Sequence, residues 1–455
     1  RARPNNLQRG LGTRHVQLIA IGGAIGTGLF LGAGETIHSA GPSILLTYII
    51  IGLILFLFMR ALGEILLSNT DFHSFADVTH TYIGPFAGYV TGWTYWFCWI
   101  VTGMAEVTAV AKYISFWFPD IPTWITALFT ILVLMTMNLM TAKLFGELEF
   151  WFSIIKITTI VALIIVGVIM IVMAYNTPYG TASITHIWDH DGIFPNGMNG
   201  FFLSFQMAAF SFVGIELIGV TAGETKDPHK TIPRAINSVP IRIMIFYVGS
   251  LIIIMSITPW DQIDPAESPF VKLFGLIGIP IAAAIINFVV LTAAASSCNS
   301  GIFSNSRMLY GLSQNGQANK RFGQTNKSGV PYKATFFSCF LLMISVLLNY
   351  MIKDAGEVFK YVTSVSTVLF LVVWSLIIIA YIRYRKISPE LNKSSKFKLP
   401  GGVPVAWITL IFFIFVFILL MTNKVTLIAI LITPIWFIFL TLMYFNQKRK
   451  GFKLQ

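Results

Sequence analysis

The sequence predicts an all-α membrane protein with about twelve transmembrane helices, on the evidence of its composition and its long apolar runs. Hydrophobic residues make up 56% of the chain, charged residues only 11%, and the mean hydropathy is +0.76. Soluble domains carry about 25% charged residues, so this chain lacks the polar surface that water requires. We therefore expect a lipid bilayer to be its solvent.

Each apolar run is close to the roughly 20 residues that an α-helix needs to cross a hydrocarbon core. Helices are expected because a spanning segment must satisfy its backbone hydrogen bonds internally. The predicted spans are His15–Ile37, Pro42–Leu67, Phe86–Tyr113, Trp124–Met140, Phe150–Ala174, Asn199–Ala222, Val239–Thr258, Leu273–Leu312, Lys333–Tyr350, Val358–Arg385, Val403–Met421 and Val425–Phe445.

The positive net charge, +12, lies in short connections between the runs rather than in a separate basic domain. Lysine and arginine are concentrated at Lys226–Arg242, Arg307–Lys333 and residues 383–398. The alternate connection Tyr175–Met198 has neither residue. Because cytoplasmic connections are enriched in these residues, we predict that both termini are cytoplasmic. We expect contact with membrane lipids and no nucleic-acid partner.

The sequence offers little chemistry for a cofactor or an enzyme. Cys98, Cys298 and Cys339 all lie in apolar runs, where thiols usually act as small packing residues. No metal-ligand cluster, nucleophile motif or pair of acids stands out in the spans. We therefore expect no cofactor, no metal and no catalytic activity.

The first span contains a cluster of glycines that makes it a poor helix. Gly22, Gly23, Gly26 and Gly28 lie within one short run, and each interior glycine costs about 0.5–1 kcal/mol relative to alanine. Unwound backbone is tolerated in a membrane only where it is buried in protein or lines a wet cavity. The alternative is that the glycines allow close helix packing. We predict a break in this span.

A weaker break is predicted in the sixth span, where Gly214 and Glu216 interrupt an apolar run. The breaks lie in the first and sixth spans. A second unit of five spans would therefore start on the opposite side of the membrane from the first unit. This arithmetic is that of an inverted repeat, with units at 15–174 and 199–385 and two further helices in 403–445. Breaks at matching positions of two halves indicate a transporter site.

Several runs identify a family resemblance. The sequences RGLGTRHVQLIAIGGAIGTGLFLGAG and AFSFVGIELIGVTAGETKDPHKTIPRAI resemble the first and sixth spans of the amino acid–polyamine–organocation superfamily. The sequences MRALGEILLSN and KLFGELEFWFSIIKI are similar to its bacterial amino acid transporter branch. GWTYWFCWIVTGMAE is most similar to the permeases for D-serine, D-alanine and glycine. The resemblance covers the chain from Arg9 to about Lys448.

The resemblance implies a single transmembrane transporter domain with the five-plus-five inverted repeat and two extra C-terminal helices. It implies a substrate held halfway across the bilayer of a bacterial plasma membrane. The expected function is proton-coupled import of small neutral amino acids, such as glycine, D-alanine and D-serine, by alternating access.

A helix broken in mid-membrane presents unpaired N–H groups with partial positive charge, and these suit a carboxylate. We predict that the backbone of Gly26, Thr27 and Gly28 binds the substrate carboxylate, assisted by the Thr27 hydroxyl. A larger residue at either glycine would block the close approach.

Unpaired carbonyls at the end of a first half-helix suit an ammonium group. The resemblance implies that these are the carbonyls of Ala24, Phe210 and Val213, next to Gly214. It also implies that the Phe210 ring closes over the ligand, although plain packing is an equal alternative for a phenylalanine in this chain.

Lys156 lies inside the fifth span, where a charge costs about 2.5–3.5 kcal/mol. It either extends to the cytoplasmic interface or, as the resemblance implies, bridges spans one and eight near Ser296 and Ser297. Sodium-coupled relatives hold a cation there. At a separation of ~4 Å and a dielectric of ~20, a lysine would repel it by about 4 kcal/mol. Lys156 therefore favours proton coupling.

Two acids inside spans complete the candidate site. Glu216 is either a structural acid bonded to nearby backbone or a proton-linked gate. Glu106 lies in the outer half of the third span, where it would reach an aqueous vestibule or serve in packing. The resemblance predicts aspartate at that position for small-ligand permeases, and a glutamate is more typical of aromatic and proline carriers.

The same sequence features are compatible with other functions. Within transporters, the alternatives are an amino acid exchanger and a carrier of aromatic or other neutral amino acids. Outside that class, the alternatives are a channel and a membrane-embedded enzyme.

Overall fold

The structure is a computed structural model that describes residues 10–16, 25–221 and 224–450. These residues are mostly helical and contain almost no strand, as expected for an all-α membrane protein. The only strands among the described residues are β1 (Asn176–Thr177) and β2 (Gly180–Thr181), which form an antiparallel hairpin pairing Asn176 with Thr181.

The helices are numbered in chain order, and the short 3-10 segments are left without numbers. The first ten are α1 (Thr27–Phe30), α2 (Gly32–Ala40), α3 (Ile44–Ser68), α4 (Phe75–Tyr82), α5 (Pro85–Ile114), α6 (Thr123–Asn138), α7 (Ala142–Val172), α8 (His186–Asp189), α9 (Gly197–Phe210) and α10 (Ile218–Thr221). The others are α11 (Pro228–Asn237), α12 (Val239–Arg242), α13 (Ser250–Ile257), α14 (Pro269–Gly275), α15 (Ala282–Gln314), α16 (Tyr332–Leu342), α17 (Ile344–Met351), α18 (Ala355–Ile387), α19 (Pro389–Ser394), α20 (Gly402–Leu420) and α21 (Lys424–Arg449).

Ten helical stretches among the described residues are long and apolar enough to cross a membrane. They include Gly32–Ser68, which joins the end of the first predicted span to the second, and they overlap the predicted spans from the fifth onward. The helix at the fourth predicted span, α6, is a shorter apolar helix. The first predicted span is described only in part, because residues 17–24 lie outside the described ranges.

The eighth predicted span, Leu273–Leu312, was wrong as a single run. The structure divides it into α14 and α15, separated by a turn at Gly278 with φ +84°. Pro280 follows two residues later and has no N–H to continue a helix. Hydropathy alone misses this corner because the turn residues are themselves apolar.

The helices form an enclosed centre and a lipid-facing rim. The apolar windows of α5 and of Gly197–Thr221 are each 83% buried, whereas that of α21 is 28% buried. Leu431 and Ile435 on α21 are 66% and 67% exposed, as expected for side chains that face lipid tails. The centre, where α5 packs against α15 and α18, therefore holds the candidate site.

The connection between α3 and α5 is acidic, although it is predicted to lie on the same side of the membrane as the basic connections. The structure folds it into α4, and Asp77 accepts hydrogen bonds from the His73 backbone (2.7 Å) and from Asn315 (2.6 Å). The acid is thus a buried structural group and does not contradict the predicted orientation.

Arg60 and Glu64 lie in the second half of α3 and contact the connection between α18 and α20. The Glu64 carboxylate accepts hydrogen bonds from Tyr381, Asn392 and the Leu399 backbone at 2.9–3.0 Å. Arg60 donates to the Lys398 carbonyl and lies 3.9 Å from the centre of the Phe397 ring. Both residues therefore fasten the connection between α18 and α20 to α3.

Candidate functional site

The first break begins with a bend at Ile25 and Gly26, after which α1 starts at Thr27. Gly26, at the N-cap position, has no side chain to cap α1, and the Glu106 carboxylate on α5 faces the Thr27 N–H. The Thr27 hydroxyl is buried and has no hydrogen-bond partner among the described residues. The N–H groups of a first helical turn have no acceptor within the helix. The break thus presents several hydrogen-bond donors at one place. Ala24, whose carbonyl was predicted to bind the substrate ammonium, lies outside the described residues.

The two predicted breaks lie against each other. A Cβ atom on Gly28 would come within 2.7 Å of the Ser211 Cα atom in the second break. A Cβ atom on Gly26 would come within 2.9 Å of Ser297 Oγ on α15 and 3.5 Å of Glu106 Oε1 on α5. Real Cβ contacts are almost never shorter than about 3 Å, so a side chain at position 28 would clash with backbone, whereas one at position 26 would require the Ser297 hydroxyl to move.

The second break follows the end of α9 at Phe210. Residues 211–214 form a turn in which Gly214 has φ +100°, a conformation that favours glycine, before a 3-10 turn leads into α10. The Val213 N–H donates to the Phe210 carbonyl at 3.2 Å. That carbonyl was predicted to be unpaired, and only its second lone pair is left for a ligand.

The Phe210 side chain is buried and faces α18. Its ring lies edge-on to Phe359, with 6.3 Å between the ring centres. Phe210 therefore stands between the second break and the N-terminal part of α18.

Glu216 stabilises the second break from inside. Its Oε1 accepts a hydrogen bond from Tyr95 (3.1 Å), its Oε2 accepts one from Trp374 (3.3 Å), and the Gly214 N–H lies 3.2–3.3 Å from both oxygens. All of these partners are donors, and the carboxylate is fully buried. Glu216 thus replaces the helical acceptor that the turn at Gly214 has lost.

A π-helical segment, Ile243–Gly249, also supports the second break. It places Tyr247 so that its hydroxyl donates to the Ser211 carbonyl at 2.8 Å, and its ring stacks on Phe212 with 4.8 Å between centres. The Ser211 hydroxyl donates back to the Met207 carbonyl at 2.8 Å. The hydroxyl and the carbonyl of Ser211 and the N–H of Gly214 therefore have partners within the protein.

Glu106 faces the first break and is not in an open vestibule. Its side chain is 2% exposed, and its Oε1 accepts a hydrogen bond from Ser297 at 3.0 Å. The carboxylate also faces Thr27, yet Glu106 Oε2 and Thr27 Oγ1 have no well-formed hydrogen bond to any described residue. Two buried oxygen atoms that can each form a further hydrogen bond thus lie together at this break.

Lys156 is buried in the middle of α7 rather than at the interface. Its Nζ donates to Ser296 Oγ at 2.9 Å, and its exposure is 0%. The prediction placed Lys156 near both Ser296 and Ser297. In the structure the two serines have separate acidic partners, because Ser297 donates to Glu106.

Sequence reasoning missed Glu149, which is fully buried on α7. Its Oε2 accepts from Ser296 Oγ and its Oε1 from Asn299 Nδ2, each at 2.8 Å. The spacing Glu149, Ser153, Lys156 places three polar residues on one face of an apolar helix. That periodicity was the available signal.

A cavity of about 670 Å³ lies next to the first break. It reaches Leu31 and Gly32, directly after α1, and its wall includes Lys112 and Lys360. Lys360 lies 3.8 Å from the Glu35 carboxylate across this opening. Charges of both signs therefore line the approach to the first break.

The chain is similar to known amino acid transporters along nearly its whole length. The Amino acid permease family model matches residues 15–454. The chain is 54% identical to a D-serine/D-alanine/glycine transporter of Escherichia coli, with 98% of this chain and 95% of the relative covered. It is 50% identical to the amino-acid permease AapA of Bacillus subtilis, over 99% and 97% of the two chains.

A further relative, the DL-alanine permease SerP2 of Lactococcus lactis, is 44% identical over 97% of this chain and 96% of its own length. These names describe carriers of amino acids and not enzymes. Since the family model and the relatives cover almost the whole chain, the protein is a multi-pass membrane transporter that belongs to the amino acid permease family.

Proposed function

We propose that this protein is a proton-coupled symporter that imports small neutral amino acids, such as glycine, D-alanine and D-serine, across a bacterial plasma membrane. The observation that carries the proposal is the uncapped first break, with its buried, unpartnered Thr27 hydroxyl next to the second break. A carrier for a zwitterion requires such a place. The relative named as a D-serine/D-alanine/glycine transporter supports the choice of substrates.

The substrate carboxylate binds the N–H groups of Gly26, Thr27 and Gly28 and the Thr27 hydroxyl. Partial positive charge at the start of a helix stabilises an anion, and burial strengthens the interaction because water is excluded. The first turn of α1, which has no side-chain cap, supports this assignment.

The substrate ammonium binds carbonyl oxygens at the ends of the two first half-helices. We assign the carbonyls of Ala24, Phe210 and Val213 to this role, with Gly214 allowing the turn that exposes them. The φ of +100° at Gly214 supports the assignment, because it directs the chain away from a regular helix.

Selection for small substrates follows from the crowding between the breaks. Gly28 leaves no room for a Cβ atom of its own against Ser211, and the Phe210 ring covers the adjacent space. A substrate with a bulky side chain would have to displace Phe210.

Transport proceeds by alternating access between two units of five spans, residues 15–174 and 199–385, with residues 403–445 as peripheral helices. The enclosed Gly197–Thr221 and the lipid-facing α21 support this division. The basic connections support a cytoplasmic location for both termini. Rocking of one bundle against the other opens the site to each side in turn.

Lys156 couples transport to protons, and Glu106 and Glu216 act at the gate around the substrate. The position of Lys156 near the middle of α7, with its hydrogen bond to Ser296, supports a role inside the membrane. One proton moving inward releases about 2.3 kcal/mol per 100 mV. At about 1.4 kcal/mol per tenfold concentration ratio, this drives roughly fifty-fold accumulation of a neutral solute.

The test is uptake of radiolabelled glycine into proteoliposomes under an imposed pH gradient. Competitors are both enantiomers of alanine and serine, together with proline and phenylalanine. We expect glycine, D-alanine and D-serine to compete strongly and phenylalanine to compete weakly. Strong competition by phenylalanine would instead indicate a carrier of aromatic amino acids, the class in which a glutamate at position 106 is typical.

The coupling role is tested with Lys156→Ala, which should abolish the response to the pH gradient while counterflow of glycine continues. Lys424→Ala, at the start of α21, is the matched control and should behave as the wild type. Unchanged pH-driven uptake in Lys156→Ala would remove Lys156 from the mechanism. Counterflow without any pH response in the wild type would identify an exchanger.

A further inference from the structure

We propose that Glu149 is the inward proton acceptor for Lys156 and that the Ser296 hydroxyl passes the proton between them. This inference rests on the proposed proton symport and adds to it a route by which the proton leaves the site. It assigns a role to a buried acid that the substrate site does not use.

The hydrogen bonds form a chain with one consistent direction. Lys156 Nζ donates to Ser296 Oγ at 2.9 Å, and Ser296 Oγ donates to Glu149 Oε2 at 2.8 Å. A hydroxyl that accepts from one titratable group and donates to another is the arrangement that a proton transfer needs. All three side chains are 0% exposed, so bulk water does not compete with the transfer.

The position of Glu149 along α7 gives the chain a direction through the membrane. Glu149 lies seven residues after Ala142, the first residue of α7, and Lys156 lies seven residues further. At 1.5 Å per residue, each interval is about 10 Å. Since the end at Ala142 is cytoplasmic in the proposed orientation, Glu149 lies between Lys156 and the cytoplasm.

Asparagine side chains fix the Glu149 carboxylate in this position. Asn299 Nδ2 donates to Glu149 Oε1 at 2.8 Å, and Asn138 Nδ2 donates to Asn299 Oδ1 at 2.6 Å. Amides do not titrate, so they orient the carboxylate without offering an alternative proton acceptor. The oxygen that faces Ser296 is therefore the one available for the proton.

The ionisable groups that face Lys156 are few. Glu149 comes from the same helix, α7, and Glu106 comes from α5 on the outer side of the site. The neighbouring α13 contributes no ionisable side chain among Ser250–Ile257. Glu106 has no described hydrogen bond to Lys156, whereas Glu149 is connected to it through one hydroxyl. The geometry therefore favours Glu149 as the acceptor.

The transfer conserves protons and charge. The Ser296 hydroxyl gives its proton to Glu149 Oε2 while Ser296 Oγ takes a proton from the Lys156 ammonium. The ammonium becomes a neutral amine, the carboxylate becomes a carboxylic acid, and the serine is unchanged. Release of the proton from Glu149 to the cytoplasm then completes the inward step.

The experiment compares pH-driven glycine accumulation with glycine counterflow in proteoliposomes that contain Glu149→Gln or Ser296→Ala. We expect pH-driven accumulation to fall at least about tenfold in both variants, the effect of losing about 1.4 kcal/mol of coupling. Counterflow should stay within about twofold of the wild type, because exchange returns the carrier with its proton still bound.

Three further variants sharpen the test. Ser296→Thr keeps a hydroxyl and should restore most of the pH-driven accumulation. Glu147→Gln, on the same helix but facing Arg14 and His15, is the matched control and should behave as the wild type. Combining Glu149→Gln with Lys156→Ala should be no worse than Lys156→Ala alone, because residues of one relay are not additive.

Normal pH-driven accumulation in Glu149→Gln would overturn the relay and leave the proposed symport intact. Equal loss of counterflow and pH-driven accumulation in both variants would assign Glu149 to packing and overturn the relay as well. A wild-type protein with counterflow and no response to the pH gradient would overturn the symport itself. The wild-type control thus separates the two failures.

Discussion

The two breaks differ in how their polar groups are satisfied. At the second break, Glu216 and Tyr247 bind the backbone groups that the turn leaves without helical partners. At the first break, α1 starts without a side-chain cap, and the Thr27 hydroxyl has no partner among the described residues. The second break therefore offers a ligand carbonyl oxygens such as that of Phe210, whereas the first break offers N–H groups and the Thr27 hydroxyl.

This difference indicates a division of labour. A buried polar group without a partner costs about 1–3 kcal/mol, so a protein keeps one where a ligand will satisfy it. Under the proposed function, the substrate carboxylate binds at the first break, and the substrate ammonium binds carbonyl oxygens of the second. Substitutions at four positions test this comparison.

The largest effect is expected at Gly28, where the two breaks touch. Gly28→Ala places a Cβ atom 2.7 Å from Ser211 Cα, and the contact must widen. Overpacking costs about 1–3 kcal/mol, so we expect glycine uptake to fall at least about tenfold, and Gly28→Leu to abolish it. Gly275→Ala, whose new Cβ atom meets Ala283 at 3.9 Å, is the control. Normal glycine affinity in Gly28→Leu would exclude this break as the carboxylate site.

The next effect is expected at Glu216 and concerns stability. In Glu216→Gln, the new amide group meets donors from Tyr95, Trp374 and Gly214, so at least one hydrogen bond is lost. We expect a loss of about 1–3 kcal/mol, measured as a lower melting temperature in detergent, with an unchanged pH dependence of uptake. The exposed Glu390→Gln is the control. A changed pH dependence would show that Glu216 takes part in coupling.

A smaller effect is expected at Thr27 and concerns affinity alone. Thr27→Val removes the hydroxyl at nearly constant volume, so one hydrogen bond to the carboxylate is lost. Since a bond to a charged group contributes about 1.5–3 kcal/mol, KM for glycine should rise about tenfold or more. Thr91→Val is a close control, because Thr91 Oγ1 is also buried without a described partner but lies away from the break. Equal KM values in the two variants would contradict the open first break.

The smallest effect is expected at Phe210. Phe210→Leu loses the edge contact with Phe359, and aromatic pairs contribute about 0.5–1.5 kcal/mol. We expect glycine affinity to fall about threefold and competition by phenylalanine to increase, since the space over the second break is larger. Phe129→Leu, at a side chain that is 68% exposed, should change neither quantity. Unchanged competition in Phe210→Leu would assign the ring to packing.

Much of the fold was predictable because hydropathy and chain length determine which segments cross a bilayer. The predicted spans from the fifth onward overlap helices in the structure, but the corner at Gly278 in the eighth was missed, and the seventh helical stretch begins at Pro228, before the predicted start at Val239. The resemblance to the amino acid transporters is confirmed by the family match. The glycine cluster also pointed to the first break, because glycine is a poor helix former in any context.

The partners of the buried charges were decided by the tertiary structure alone. Lys156 and Ser296 are 140 residues apart in the chain, and Asn299 and Glu149 are 150 apart. In a membrane protein, both the lipid-facing and the buried sides of a helix are apolar, so periodicity does not show which side faces a neighbour. The sequence therefore determined the class of protein and pointed to the place of the first break. Packing decided which acid accepts a hydrogen bond from which serine.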